Sequence, residues 1–181
     1  YWPHTIELGR SFVQPMYQPS VNRRKGIYAL DNLWDGLGSI VVDFPSMKYF
    51  FGKMTMYTTF NRTARDLILC FIEKHFPDRE GLVKSNFPIS IETPDQMINE
   101  VLDSMDYKED YKKLNASVRK LNEYIPPLFT AYMNLSKTMK SFGTAVNSAF
   151  GSVEETGIMI TVKDIFEEKI TRYVASYVPV S

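Results

Sequence analysis

The feature that most constrains the fold lies in residues 6–60. Two apolar runs stand on either side of one helical pattern. The first is Ile6-Glu7-Leu8-Gly9-Arg10-Ser11-Phe12-Val13, and the second is Tyr49-Phe50-Phe51-Gly52-Lys53-Met54-Thr55-Met56-Tyr57. A turn-rich, basic connection over residues 15–25 follows the first run. Then Ile27, Leu30, Leu33, Trp34, Leu37, Ile40 and Val41 recur at helical spacing, which predicts one apolar helix face over residues 27–43. Strand, loop, helix and strand in this order make a βαβ unit. Its crossover helix makes the two strands parallel neighbours, joined right-handedly. Gly36 and Gly38 weaken that helix by up to about 1 kcal/mol each relative to Ala, and close approach to the sheet is their expected use.

The first run resists a regular strand. Residues three apart point to opposite faces, so Glu7 and Arg10 would be split between two helix-covered faces. Burying either charge alone is costly. A bulge at Gly9 would bring both to one face, with glycine taking the dihedrals such an irregularity can need. The pair then serves either chemistry or the ordering of a strand end.

These residues resemble a known family. Glu7-Leu8-Gly9-Arg10-Ser11-Phe12-Val13, Leu33-Trp34-Asp35-Gly36-Leu37 and Tyr49-Phe50-Phe51-Gly52 carry the resemblance first. Tyr124-Ile125-Pro126-Pro127-Leu128, Tyr132, Leu135, Gly143, Phe150 and Gly157-Ile158-Met159-Ile160-Thr161-Val162 extend it. Together they resemble the GNAT-type N-acyltransferases that make the lyso form of ornithine and glycine lipids, often labelled haemolysins. The Glu-x-x-Arg strand is also similar to that of acyl-homoserine-lactone synthases. The resemblance implies an α/β, GNAT-like acyl-CoA N-acyltransferase fold. Residues 1–181 are expected to form a single acyltransferase-like domain, with residues 78–121 as a family-variable insert. The chain opens on Tyr1-Trp2-Pro3-His4, whereas the resemblance implies several strands and two helices ahead of this point. It is expected to be the C-terminal part of a longer chain; a small complete α/β domain is the alternative.

The implied reaction moves a 3-hydroxyacyl group from acyl carrier protein to the amine of an amino acid, glycine or ornithine. An amine nucleophile must lose a proton, and Glu7 is a candidate base, directly or through water. Arg10 is a candidate to hold the acceptor's carboxylate in a bidentate pair or to orient Glu7. Arg23, Arg24, Lys25, Gly26 and Ile27 enter a helix N-terminus, where free N–H groups and the dipole favour an anion. In GNAT proteins this position takes the donor's pyrophosphate. The usual glycine spacing is not met here, which fits the single phosphate of an acyl-phosphopantetheine on a carrier protein. The basic residues would also meet that carrier's acidic surface, or else form a solvated loop. No permanently bound cofactor is implied, and the place of work is the cytoplasm, peripheral to the inner membrane surface.

Other classes find less support. Lys plus Arg number 21 and Asp plus Glu number 21, so no net field points to nucleic acid. No apolar stretch approaches the ~18 residues of a membrane span. Cys70 is the one cysteine, read as a reduced core residue. His4 and His75 have no Cys or Asp at metal spacing, so no metal site is expected. There is no Gly-x-Ser-x-Gly elbow, no Walker loop, and no His near Ser11. Tyr57 and Tyr132 are general-acid candidates or core. The remaining expectations are a helix over 61–76, a short strand over 87–91, a helix opening at Thr93-Pro94, and a solvated charged face over 103–113. A helix over 127–140, a strand over 156–163 and a last helix over 165–177 capped by Asp164 complete them. A lactone-synthase-like enzyme and a non-catalytic binding domain are the rival functions.

Overall fold

The computed structural model describes residues 1–9, 15–17, 23–175 and 177, with the side chains of its long first helix described from residue 33 onward. Its order is β1 (Thr5–Leu8), α1 (Arg23–Asp43), β2 (Tyr49–Met56), α2 (Arg62–His75), α3 (Asp95–Val101), α4 (Tyr107–Lys120), α5 (Pro127–Met133), β3 (Lys140–Asn147), β4 (Val153–Thr161) and α6 (Glu167–Tyr173). The sheet order is β1-β2-β4-β3. Lys48, just before β2, donates its N–H to the carbonyl of His4, just before β1, at 2.8 Å. The two strands therefore start at the same end and run parallel. Val162, just past β4, donates to the Lys48 carbonyl at 2.9 Å, so β4 runs antiparallel to β2. β3 and β4 are antiparallel. This is a mixed α/β fold holding the βαβ unit expected of residues 6–60, and it is compatible with an N-acyltransferase-like architecture.

The chain divides into two compact units, residues 1–51, 135–137 and 160–181, and residues 52–134 and 138–159. In the first, α1 packs on α6. Trp34, Phe50, Leu135 and Tyr173 are buried there. The glycine expectation needs correction. Gly38 approaches α6 rather than the sheet: a Cβ on it would stand 1.8 Å from the Tyr173 carbonyl oxygen. Gly36 faces open space, with nothing within 4 Å of such a Cβ.

In the second unit α2 is the central helix. Asn61 caps it by accepting the Ala64 N–H at 3.1 Å, and Pro77 follows its C-cap, Phe76. Its inner stripe, Leu67, Ile68, Phe71 and Ile72, is buried, as are Met54 and Met56 of β2 and Ile158 of β4. α4 begins at Asp106, whose carboxylate accepts the N–H groups of Lys108 and Glu109.

Three expected elements differ, and one strand was not expected. The helix over 127–140 ends at Met133, because Leu135 and Ser136 use their backbones on the 165–166 segment: Phe166 donates to the Leu135 carbonyl at 2.9 Å, and Ser136 bridges Ile165. The following residues form β3, whose alternation is broken by a register shift between Ser141 and Thr144 with Gly143 at φ 77°. Asp164 lies in a 3-10 turn, and Phe166 is the N-cap of α6 without a side-chain capping bond, since extended Ile165 delays the helix. The strand over 87–91 reduces to a single bridge, Pro88 with Ala145, and an Ile89 N–H bond to the Thr144 carbonyl.

The two α1 glycines predict opposite outcomes. Gly38→Ala forces backbone apart and should cost about 1–3 kcal/mol. Gly36→Ala should stabilise by up to about 1 kcal/mol. Urea unfolding of the full chain measures both; equal midpoints for the two variants would contradict the packing of α1 on α6.

Candidate functional site

β1 is four residues long and ends at Leu8. Glu7 is exposed, between half-buried Ile6 and Leu8. Arg10 and the rest of the expected strand to residue 13 lie outside the described residues, and so does the expectation that Glu7 and Arg10 share a face. Gly9 follows β1, and it is not among the glycines of positive φ. A Cβ on it would meet nothing within 4 Å, so the backbone does not require glycine there.

The basic stretch also shifts. α1 starts at Arg23, so Arg23, Arg24 and Lys25 form its first turn instead of a loop ahead of it, and Gly26 and Ile27 continue the helix. Arg and Lys are good helix formers, which extends the helix backwards from its apolar pattern. No acidic residue lies in that turn. Three cations and the positive end of the dipole therefore coincide, an arrangement that an anion relieves. Their side chains lie outside the described part of the helix.

The second unit holds buried charges. Arg65 is 2% exposed; its Nε donates to Asp66 Oδ1 at 2.8 Å, its Nη1 to Glu154 Oε1 at 2.9 Å, and its Nη2 to the Ser90 carbonyl at 3.0 Å. Arg62 donates to the same Glu154 oxygen at 2.6 Å. Burial alone would lower the Arg65 pKa, but its bonds to Asp66 and Glu154 raise it. Burial pushes the Asp66 carboxyl up, and the N–H groups of Glu92 and Thr93, the Thr93 hydroxyl and Arg65 outweigh this and hold it below the usual range.

A second cluster departs from the solvated-face reading of residues 103–113 at one residue, Asp110; Asp103, Asp106, Lys108, Glu109 and Lys112 are exposed as expected. Asp110 is fully buried; Lys74 Nζ lies 2.8 Å and His75 Nε2 2.9 Å from its Oδ2, while Ser104 N–H donates to Oδ1 at 3.0 Å. Burial raises the Asp110 carboxyl, and these donors outweigh it, leaving the pKa lowered. His75 also packs tilted against the Phe71 ring and edge-on to the Tyr107 ring, so its place is a structural one. Among the described residues no group of three His, Cys, Asp or Glu is placed to hold a metal ion.

The two tyrosines separate. Tyr57 is 71% exposed, whereas Tyr132 is 3% exposed and burial pushes its hydroxyl up to about 12. Tyr132 stays protonated at neutral pH and lies beside β2, its Oη 2.8 Å from where a Gly52 Cβ would stand. Cys70 is half-buried rather than core. The paired acids Glu154 and Glu155 escaped the sequence reading, which started that strand at Thr156. Two adjacent acids in an apolar strand must face opposite sides, and that signal was available.

The folded carboxyl pKa values of Asp66 and Asp110 are depressed. Their stabilisation is therefore complete above the unfolded value of about 4 and lost as pH falls through the lower folded values. Asp110→Asn should cost about 3 kcal/mol at neutral pH, by leaving Lys74 short of its buried partner. Its urea stability should also decline less between neutral and strongly acidic pH. A variant with wild-type stability and acid sensitivity would contradict this.

Comparison with known proteins bears on the whole chain. It is 53% identical over 178 residues, 98% of its length, to a protein of Phocaeicola vulgatus named glycine N(alpha)-acyltransferase. It is 53% identical over the same number of residues to a protein of that name from Bacteroides thetaiotaomicron. It covers 55% and 53% of those two proteins, so the chain spans about half the length of the curated relatives it matches. No protein-family model matches it, and no solved structure matches it significantly.

Proposed function

We propose that the protein containing this chain is an amino-acid N-acyltransferase that moves a 3-hydroxyacyl group from acyl carrier protein to the amine of glycine, forming a lyso-aminolipid. The observation that carries this reading is the 53% identity, over nearly the whole chain, to two proteins named glycine N(alpha)-acyltransferase. Their name favours glycine over ornithine as acceptor. The mixed sheet with its parallel β1–β2 pair supports a thioester-binding architecture of the GNAT kind. No described helix is long and apolar enough to cross a membrane. Within this reading the enzyme works in the cytoplasm, peripheral to the inner membrane surface.

The amine nitrogen attacks the thioester carbonyl, and the carbon–sulfur bond breaks as the tetrahedral intermediate collapses. The amine's proton goes to a base, and the carrier's thiolate is reprotonated. Exposed Glu7 is the proposed base, reached directly or through water. Arg10 acts on Glu7 or on the acceptor. The basic first turn of α1 meets the phosphopantetheine phosphate and the acidic carrier.

In full-length enzyme Glu7→Gln should lower kcat by about a hundredfold or more with little change in the donor KM. Joint replacement of Arg23, Arg24 and Lys25 by Ala should raise the KM for acyl carrier protein, with an effect that fades as salt rises. Steady-state kinetics at two ionic strengths checks both. Acyl-coenzyme A as the better donor, or an unchanged triple variant at low salt, would overturn the carrier assignment.

A further inference from the structure

An open groove of about 300 Å³ is lined in the second unit by residues of β2, β3 and β4, with Val83 and Ser85 also at its lining. Its polar centre is Lys53, Glu155 and Asn147. Lys53 lies on β2 between buried Gly52 and Met54, so alternation turns it to the opposite face. Glu154 is committed to Arg65 and Arg62, which turns its neighbour Glu155 into the groove. Lys53 Nζ lies 3.4 Å from Glu155 Oε2, and Asn147 Nδ2 donates to that same oxygen at 3.0 Å. Lys53 is 41% exposed and Glu155 15%, so both charges are sheltered yet reachable. Gly157 and Gly143 add no side chain to the lining, and Phe142 supplies an apolar wall.

We infer that this groove binds the α-amino-acid acceptor, with Lys53 and Asn147 on its carboxylate and Glu155 on its amine. The inference rests on the N-acyltransferase reading above and names the acceptor's place within it. An ammonium, an amide and a carboxylate gathered within one hydrogen-bonded set match the two opposite charges that every α-amino acid carries on adjoining atoms. A single Glu155 oxygen already serves both Lys53 and Asn147. Among the described residues no bond is recorded to the other oxygen, Oε1, which is left for an amine N–H. Lys53 keeps further N–H groups for a carboxylate.

The test is the kinetics of full-length enzyme with glycine as variable substrate, and with propionate, a carboxylate lacking the amine, as inhibitor. Lys53→Met should raise the glycine KM about ten- to hundredfold and abolish competition by propionate, while the donor KM stays. Lys53→Arg should restore most of the glycine affinity. Glu155→Gln should raise the glycine KM but leave propionate inhibition intact, because only the amine contact is lost. Asn147→Ala, which keeps the ion pair and guards against a folding defect in the other two, should raise the glycine KM as well. Wild-type glycine KM values in all three would make Lys53–Glu155 a surface ion pair only and overturn the inference alone. A wild-type enzyme that acylates no amino acid would overturn the transferase reading together with it.

Discussion

Burial of the Arg65 guanidinium is the constraint on which the second unit depends. A charge withdrawn from water must be paired and hydrogen-bonded, or it costs several kcal/mol. Arg65 meets this by reaching Asp66 on its own helix, Glu154 on β4 and the Ser90 carbonyl. Asp66 in turn collects the N–H groups of Glu92 and Thr93 and the Thr93 hydroxyl. One cation thereby fixes α2, β4 and the segment leading into α3. It also fixes the register of β4. A slip of one residue would send Glu154 outward and Glu155 into the core, exchanging every face of the strand. The outward placement of Glu155 beside Lys53 is thus a consequence of what is buried beneath it.

The local elements whose periodicity and punctuation agree were readable from the residues. α2 has an apolar stripe, an Asn cap and a proline stop, and it lies within a residue of its expected bounds. β2 alternates Phe50, Gly52, Met54 and Met56 inward and lies where its pattern puts it. The misreadings arose where tertiary pairing outweighed local preference. Residues 134–140 carry a helical pattern, yet Leu135 and Ser136 pair with a segment some thirty residues away. β3 was hidden because its bulge at Gly143 breaks the alternation. Asp110 looked solvated because its neighbours in sequence are charged; its partners Lys74 and His75 come from another helix.

The candidate site was legible in part. Glu7 lies on β1 and is exposed, and the basic residues 23–25 stand at the start of α1. Lys53, Asn147 and Glu155 were not legible as a set. They come from three strands whose order, β2-β4-β3, departs from chain order, and no spacing in the sequence announces such a meeting. Tyr132 and Tyr57 looked alike as residue types, but burial separates a hydroxyl that stays protonated from one that faces water.

The central claim is the formation of an amide between a fatty acyl group and an amino acid. Its most direct measurement is a mass spectrum of the lipids of cells grown on isotopically labelled glycine, with and without the intact gene. The account predicts a 3-hydroxyacyl glycine, carrying the label, that disappears with the gene and returns with it. Identical lipid spectra in the two strains, or a label-free acyl product such as a soluble lactone, would contradict it.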